Sequence, residues 1–169
     1  MPTITKISDY NARYQLAKDA FSKKTLQSYI DELEPCLIYK LLGAELGALF
    51  IADLDVDGVP QAQRFIDIYN SFVVDYECSQ YCSIGLKDYL KGQIYYDFAR
   101  NNNTYSSLLG NKVAETDNSK TVGNLINDLS QRYNHAIRTG KDIQWYVSCY
   151  KPEDYPEYKG QSLKITHWL

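Results

Sequence analysis

A chain of 169 residues and 19.5 kDa is one domain by size, and its 44% hydrophobic and 23% charged residues exclude wholesale disorder. A net charge of −3 and a pI near 5.4 exclude the basic field of a general nucleic-acid binder. Four cysteines are too few for a disulfide scaffold in a chain this long, and no apolar stretch approaches a membrane span.

Residues 1–20 carry Ile4, Ile7, Tyr10, Tyr14 and Leu16 and are expected to form a short extended piece and a docking segment. The start, Met1-Pro2-Thr3, has neither a basic region nor an apolar signal core, so secretion is not expected. Leu26, Tyr29, Ile30, Leu33, Leu37 and Leu41 recur with the helical period, which predicts a half-buried helix over Thr25 to Leu42. Pro35 should kink or split it, and Gly43 suits its C-terminal end. A short helical piece from Ala44 to Ala52 follows.

The polar loop Asp53 to Pro60 precedes a helix expected to start near Pro60, with Ala62, Phe65, Ile66, Tyr69, Val73 and Tyr76 as its buried stripe. Ser79 to Gly85 is a weaker stretch. Leu86, Tyr89, Leu90, Ile94 and Phe98 define a third long helix ending at Arg100. Residues 101–119 are rich in Asn, Ser, Thr and Gly and form a long loop around the apolar island Leu108, Leu109 and Val113. Loops of this length in a compact domain are usually functional or disordered. The last helix runs from about Lys120 to Val147 on Val122, Leu125, Ile126, Leu129, Tyr133, Ile137 and Ile143. In residues 150–169, Pro152 and Pro156 alternate with Tyr150, Tyr155 and Tyr158, and Leu163 to Thr166 alternates like a short strand. The expected fold is all-α, a small helical bundle over 21–149 with the 101–119 loop and extended N- and C-terminal arms, 1–20 and 150–169.

Tyrosine is the compositional anomaly, at 16 against 5 Phe and 2 Trp. A ring with a wet hydroxyl suits protein interfaces. Helical tyrosines on the apolar stripes are explained by the core, but Tyr146, Tyr150, Tyr155 and Tyr158 crowd the start of the last segment. Together with Leu163, Ile165, Trp168 and Leu169, they make this arm the expected contact with neighbouring subunits, by strand addition to a sheet edge. The competing expectation is that the tail folds back on its own bundle.

The sharpest local motif is Asp53-x-Asp55-x-Asp57-Gly58, which opens like a calcium loop. Its eighth position is Pro60, and its twelfth, where a bidentate Glu belongs, is Arg64. Two readings stand: a calcium site on Asp53, Asp55 and Asp57, or a solvated acidic turn that caps the next helix. Cys78 and Cys82, four apart, are expected to be small buried residues of a helix. A zinc site would need two further ligands, and His135 and His167 are not paired. His135 is expected at the surface or an interface. No Ser/Cys–His–Asp arrangement or phosphate loop is evident, so no enzyme activity and no cofactor are expected. Arg132, Arg138 and Lys141 give the last helix a mildly basic side, either plain solvated surface or a wall past which DNA slides without sequence reading.

Gly85-Leu86-Lys87-Asp88-Tyr89-Leu90-Lys91 is followed by Ile94-Tyr95-Tyr96-Asp97-Phe98-Ala99-Arg100. With Leu41-Leu42-Gly43, Gly110-Asn111-Lys112-Val113 through Ser119-Lys120, and Tyr133-Asn134, this pattern over residues 22–150 resembles the head–tail connector (adaptor or neck ring) proteins of tailed bacteriophages. It is most similar to those of Bacteroides-infecting, crAss-like phages. The resemblance implies a virion structural protein of the neck, assembled in the host cytoplasm as a homo-oligomeric ring, commonly dodecameric. Such a ring joins the portal protein to the next tail-side ring and surrounds the DNA channel, with no membrane partner. It also implies ring contacts through the 101–119 loop, with Tyr105, Leu108, Leu109 and Val113, and through both arms. Deleting 150–169 is expected to abolish those contacts and leave the bundle helical. The alternative function is a calcium-binding helical regulator using the 53–58 loop.

Overall fold

A computed structural model describes residues 2–14, 20–102, 104–107, 110–113 and 122–165. Its longest elements are helices: α1 (Ala20–Leu42), α2 (Ala44–Ala52), α3 (Gln63–Tyr69), α4 (Leu86–Asn102) and α5 (Val122–Trp145). Between them lie two antiparallel hairpins, β1 (Phe72–Tyr76) with β2 (Ser79–Ser83), and β3 (Thr104–Ser107) with β4 (Gly110–Val113). The fold is therefore mostly helical but mixed, which corrects the all-α expectation.

The correction falls in two places. The stripe from Ala62 to Tyr76 is not one helix. Helix α3 stops at Tyr69 because Asn70 turns extended, and the chain re-enters as a strand. Val73 and Val74 are β-branched and suit a pleated strand. Phe72 and Val74 face inward, while Val73 is 62% exposed. Glu77, at φ 53°, lies in the tight turn to β2. Cys78 sits in that turn and Cys82 on β2 opposite Val73, and both are exposed, contrary to the buried helical face expected of them. In the second place, the polar segment after α4 holds strands 104–107 and 110–113, with Thr104 opposite Val113 and Ser107 opposite Gly110.

The helical expectations are met more closely. Helix α1 runs through Pro35 without splitting, and Gly43, at φ 90°, separates it from α2. Along α4, Leu86, Tyr89, Leu90 and Ile94 are fully buried, and α4 packs chiefly on α5 through Ala136, Ile137 and their neighbours. Leu26, Ile30, Ile38 and Leu41 bring α1 into the same core. Past Trp145 the helix widens into a π-helical turn, Tyr146–Tyr150, and a 3-10 turn, Pro152–Asp154.

The described parts of the two arms are not extended away from the bundle. At the N-terminal end, Ile4 and Tyr14 are each 1% exposed, and two 3-10 turns (Ile7–Asp9 and Ala12–Tyr14) fold the segment against α1 and α4. At the other end, Tyr155 and Leu163 are buried in the core. Residues 159–161 cross the α1–α2 joint, where the Lys159 N–H donates to Leu42 C=O (3.2 Å) and the Gln161 N–H to Lys40 C=O (2.8 Å). The approach is so close that a Cβ on Gly160 would lie 2.1 Å from the Leu41 carbonyl oxygen. Backbone amides that pair with the bundle, and aromatic rings that fill it, explain why the tail folds back.

Candidate functional site

The residues expected to contact neighbours fall into four groups. Tyr155 and Leu163 are core residues, and Tyr158 and Ile165 are half-buried against the core, so none of the four offers a free surface in this conformation. Tyr105 and Val113 lie on the β3–β4 hairpin. Leu108, Leu109, Trp168 and Leu169 lie outside the described residues. Tyr150 is exposed, at 39%.

Tyr150 belongs to an aromatic face built from the β1–β2 hairpin and the end of α5. On the β1–β2 sheet, Phe72, Val74 and Tyr76 share a face with Ser79, Tyr81 and Ser83, because paired residues point the same way. That face lies on the end of α5. Tyr81 stacks on Trp145 with ring centroids 3.5 Å apart and planes at 3°. Tyr76 meets the edges of Trp145 (5.5 Å) and Tyr150 (6.2 Å), and Trp145 lies 5.8 Å from Tyr150. Phe72 packs on Tyr146 at 4.6 Å. Inward rings fix the hairpin to the helix end, while Tyr76, 40% exposed, and Tyr150 stay partly in solvent. The inward alternation of Phe72, Val74 and Tyr76 was the available signal.

Beneath this face, Lys151 donates to the Asp67 carboxylate at 3.0 Å, and the Tyr146 hydroxyl reaches the same carboxylate at 3.4 Å. Burial pushes Asp67 upward, but hydrogen bonds from Gln63, Lys151 and Tyr146 and the Lys151 charge hold its carboxyl below the ordinary range. Hydrogen bonds with Tyr146 and Asp67 raise Lys151 in return.

The acidic loop is organised around its own backbone. One Asp53 oxygen accepts the N–H groups of Gln61 (2.7 Å) and Ala62 (2.8 Å), just before α3. One Asp55 oxygen accepts those of Asp57 and Val59, both at 2.9 Å. Asp57 points elsewhere, to Lys6 at 3.2 Å. The three carboxylates are aimed at different partners, and Asp53 holds the two residues that lead into α3. Among the described residues no group of three or more His, Cys, Asp or Glu side chains is placed to share a metal ion.

The basic side of α5 is partly assembled. Arg132 and Arg138 line an open cleft of about 560 Å³ with Asp128, Gln131, Asn134, His135 and, from the N-terminal segment, Arg13. Lys141 is exposed and does not line it. Arg132 donates to the Arg13 carbonyl and pairs with Asp128 at 2.5 Å. His135 is half-buried, with Nε2 3.6 Å from Asp88. Burial lowers the His135 pKa, Arg13 and Arg138 lower it further, and Asp88 opposes them. These influences together favour the neutral imidazole.

Comparison with protein-family models, curated proteins and solved structures gives no match. Among the described residues no helix is long and apolar enough to cross a membrane.

Proposed function

We propose that this chain is a structural subunit of a tailed-phage connector, one copy in an adaptor ring between portal and tail. The observation that carries the reading is the β3–β4 hairpin. It rises from the end of α4, within the 101–119 segment that the resemblance assigns to ring contacts, and its principal packing neighbour is α4. It is a two-stranded sheet among the described residues. Such a hairpin is marginal alone in water, and its unpaired edges are templates for strand addition. A head-to-tail ring, in which each subunit offers one surface to the next, would complete it. The residues behind the resemblance include the core positions Leu86, Tyr89, Leu90, Ile94 and Phe98 of α4, and these support a shared scaffold more than a shared site. DNA would pass through such a ring without sequence-specific contact, as a net charge of −3 favours.

The burial of Tyr155 and Leu163 makes removal of 150–169 an unsuitable test, since it would open the core. The hairpin can be removed instead, by replacing 104–113 with a short Gly-Ser linker. Mass measurements on the intact chain, alone and with portal rings, should show stoichiometric association. The hairpin variant should keep its helical circular dichroism and lose association. A wild-type chain that never joins portal rings, or a hairpin variant that joins them normally, would overturn the reading.

A further inference from the structure

We infer that the cleft between the Ala12–Tyr14 turn and α5 is a binding site for a phosphate group, held by the guanidinium groups of Arg13, Arg132 and Arg138. This inference does not depend on the ring reading. It starts from an imbalance of charge. The cleft wall carries three arginines and one carboxylate, Asp128, and that carboxylate is taken by Arg132. Asp88 beneath is engaged by Lys91 at 3.5 Å and by the Tyr14 hydroxyl at 3.4 Å. Among the described residues, neither Arg13 nor Arg138 forms an ion pair. In an acidic chain, two uncompensated cations beside a third concentrate positive potential in a concave place.

The convergence is built and not accidental to a flexible surface. Arg132 donates to the Arg13 carbonyl, lies 5.4 Å from the Tyr95 ring and reaches the Tyr95 hydroxyl at 3.3 Å. These contacts fix its side chain and draw the N-terminal turn, with its own arginine, onto α5. Like charges held together cost free energy unless an anion joins them. Guanidinium forks match the tetrahedral oxygens of phosphate, and Gln131 and Asn134 add neutral polar groups to the wall. A cleft of about 560 Å³ exceeds the needs of a bare phosphate, so a phosphate ester fits it.

The test uses the full chain and follows the imidazole resonances of His135, assigned by their loss in His135→Asn. Inorganic phosphate is added at pH 7.5, with ionic strength held constant by chloride. The expected result is a saturable shift of His135. Arg138→Ala and Arg13→Ala should each weaken the affinity about tenfold, as loss of one charged hydrogen-bond partner implies. Lys24→Ala, at an exposed position of α1, should bind as the wild type does. Displacement of phosphate by a mononucleotide alone would place the ester on a small molecule, and displacement by a short duplex would place it on a nucleic-acid strand. No saturable shift, or one unchanged in both arginine variants, would overturn the inference.

Discussion

Glu34, on α1, holds Thr5 twice: a single carboxylate oxygen accepts the Thr5 N–H at 2.9 Å and its hydroxyl at 2.7 Å. The other oxygen accepts the Ile4 N–H at 2.7 Å, and Glu34 is fully buried. A buried carboxylate is costly unless each oxygen finds donors, and here the N-terminal segment supplies them.

Removing that carboxylate should detach the segment. Glu34→Ala leaves three donors without a partner, and a loss of about 3 kcal/mol in stability is expected from urea unfolding. The pH dependence has a defined sign. Burial raises the Glu34 pKa, and the hydrogen bonds from Thr5 and Ile4 that lower it do not cancel the effect. The folded chain therefore holds this proton more tightly than the unfolded chain. The contribution is full below the ordinary glutamate range and is lost as pH rises through the elevated folded value. Glu34→Gln, which cannot titrate, should lack that slope, so its deficit against wild type is greatest in acid and narrows through the window.

Asp67 should behave in the opposite sense. Its folded pKa is depressed, so its contribution is present above the ordinary aspartate range and is lost as pH falls through the folded value. Because Lys151 is about one-third exposed, Asp67→Asn should cost only about 0.5–1 kcal/mol at neutral pH. Thermal melts of the two proteins should converge in strong acid.

The Tyr81–Trp145 stack should couple the β1–β2 hairpin to α5. A double-mutant cycle through Tyr81→Ala and Trp145→Ala is expected to give about 1 kcal/mol of interaction beyond burial. Amide exchange in either single variant should quicken first in residues 72–83.

The three loop aspartates should separate by role. Asp53→Ala removes the acceptor for the Gln61 and Ala62 amides and should cost about 1 kcal/mol. Asp57→Ala breaks an exposed pair with Lys6 and should be close to neutral. Calcium should leave the melting temperature of the wild type unchanged. A calcium-dependent rise abolished equally by all three substitutions would show a cation site instead.

Gly160→Ala should be disproportionately disruptive for an added methyl group. Its Cβ would meet a backbone oxygen that cannot rotate away, and a loss of about 1–3 kcal/mol is expected by thermal melting.

Helices α4 and α5 were legible because Leu86, Tyr89, Leu90, Ile94 and Phe98, and then Leu129, Ile137 and Ile143, bury a regular helical stripe. The first hairpin was hidden by coincidence. Val73 and Tyr76 extend the helical spacing begun by Ala62 and Phe65, so two periods competed over the same residues. The β-branched pair Val73-Val74 and the inward Phe72 decided for the strand. Arg132 and Arg138 lie six residues apart on α5, a spacing that does not by itself put them on one face, and both line the cleft. Arg13 joins them through a backbone carbonyl, a contact with no side-chain signature, and the Glu34 clamp on Ile4 and Thr5 is hidden for the same reason.

The seam between residues 159–161 and 40–42 is written in main chain. Lys159 and Gln161 lend their amides to it and turn exposed side chains outward, so charge and polarity along this strip can drift without loosening it. What cannot drift is the absence of a side chain at Gly160, opposite the turn that Gly43 makes. In divergent relatives, that pair of glycines would be a more durable mark of this fold than any resemblance among the residues around them.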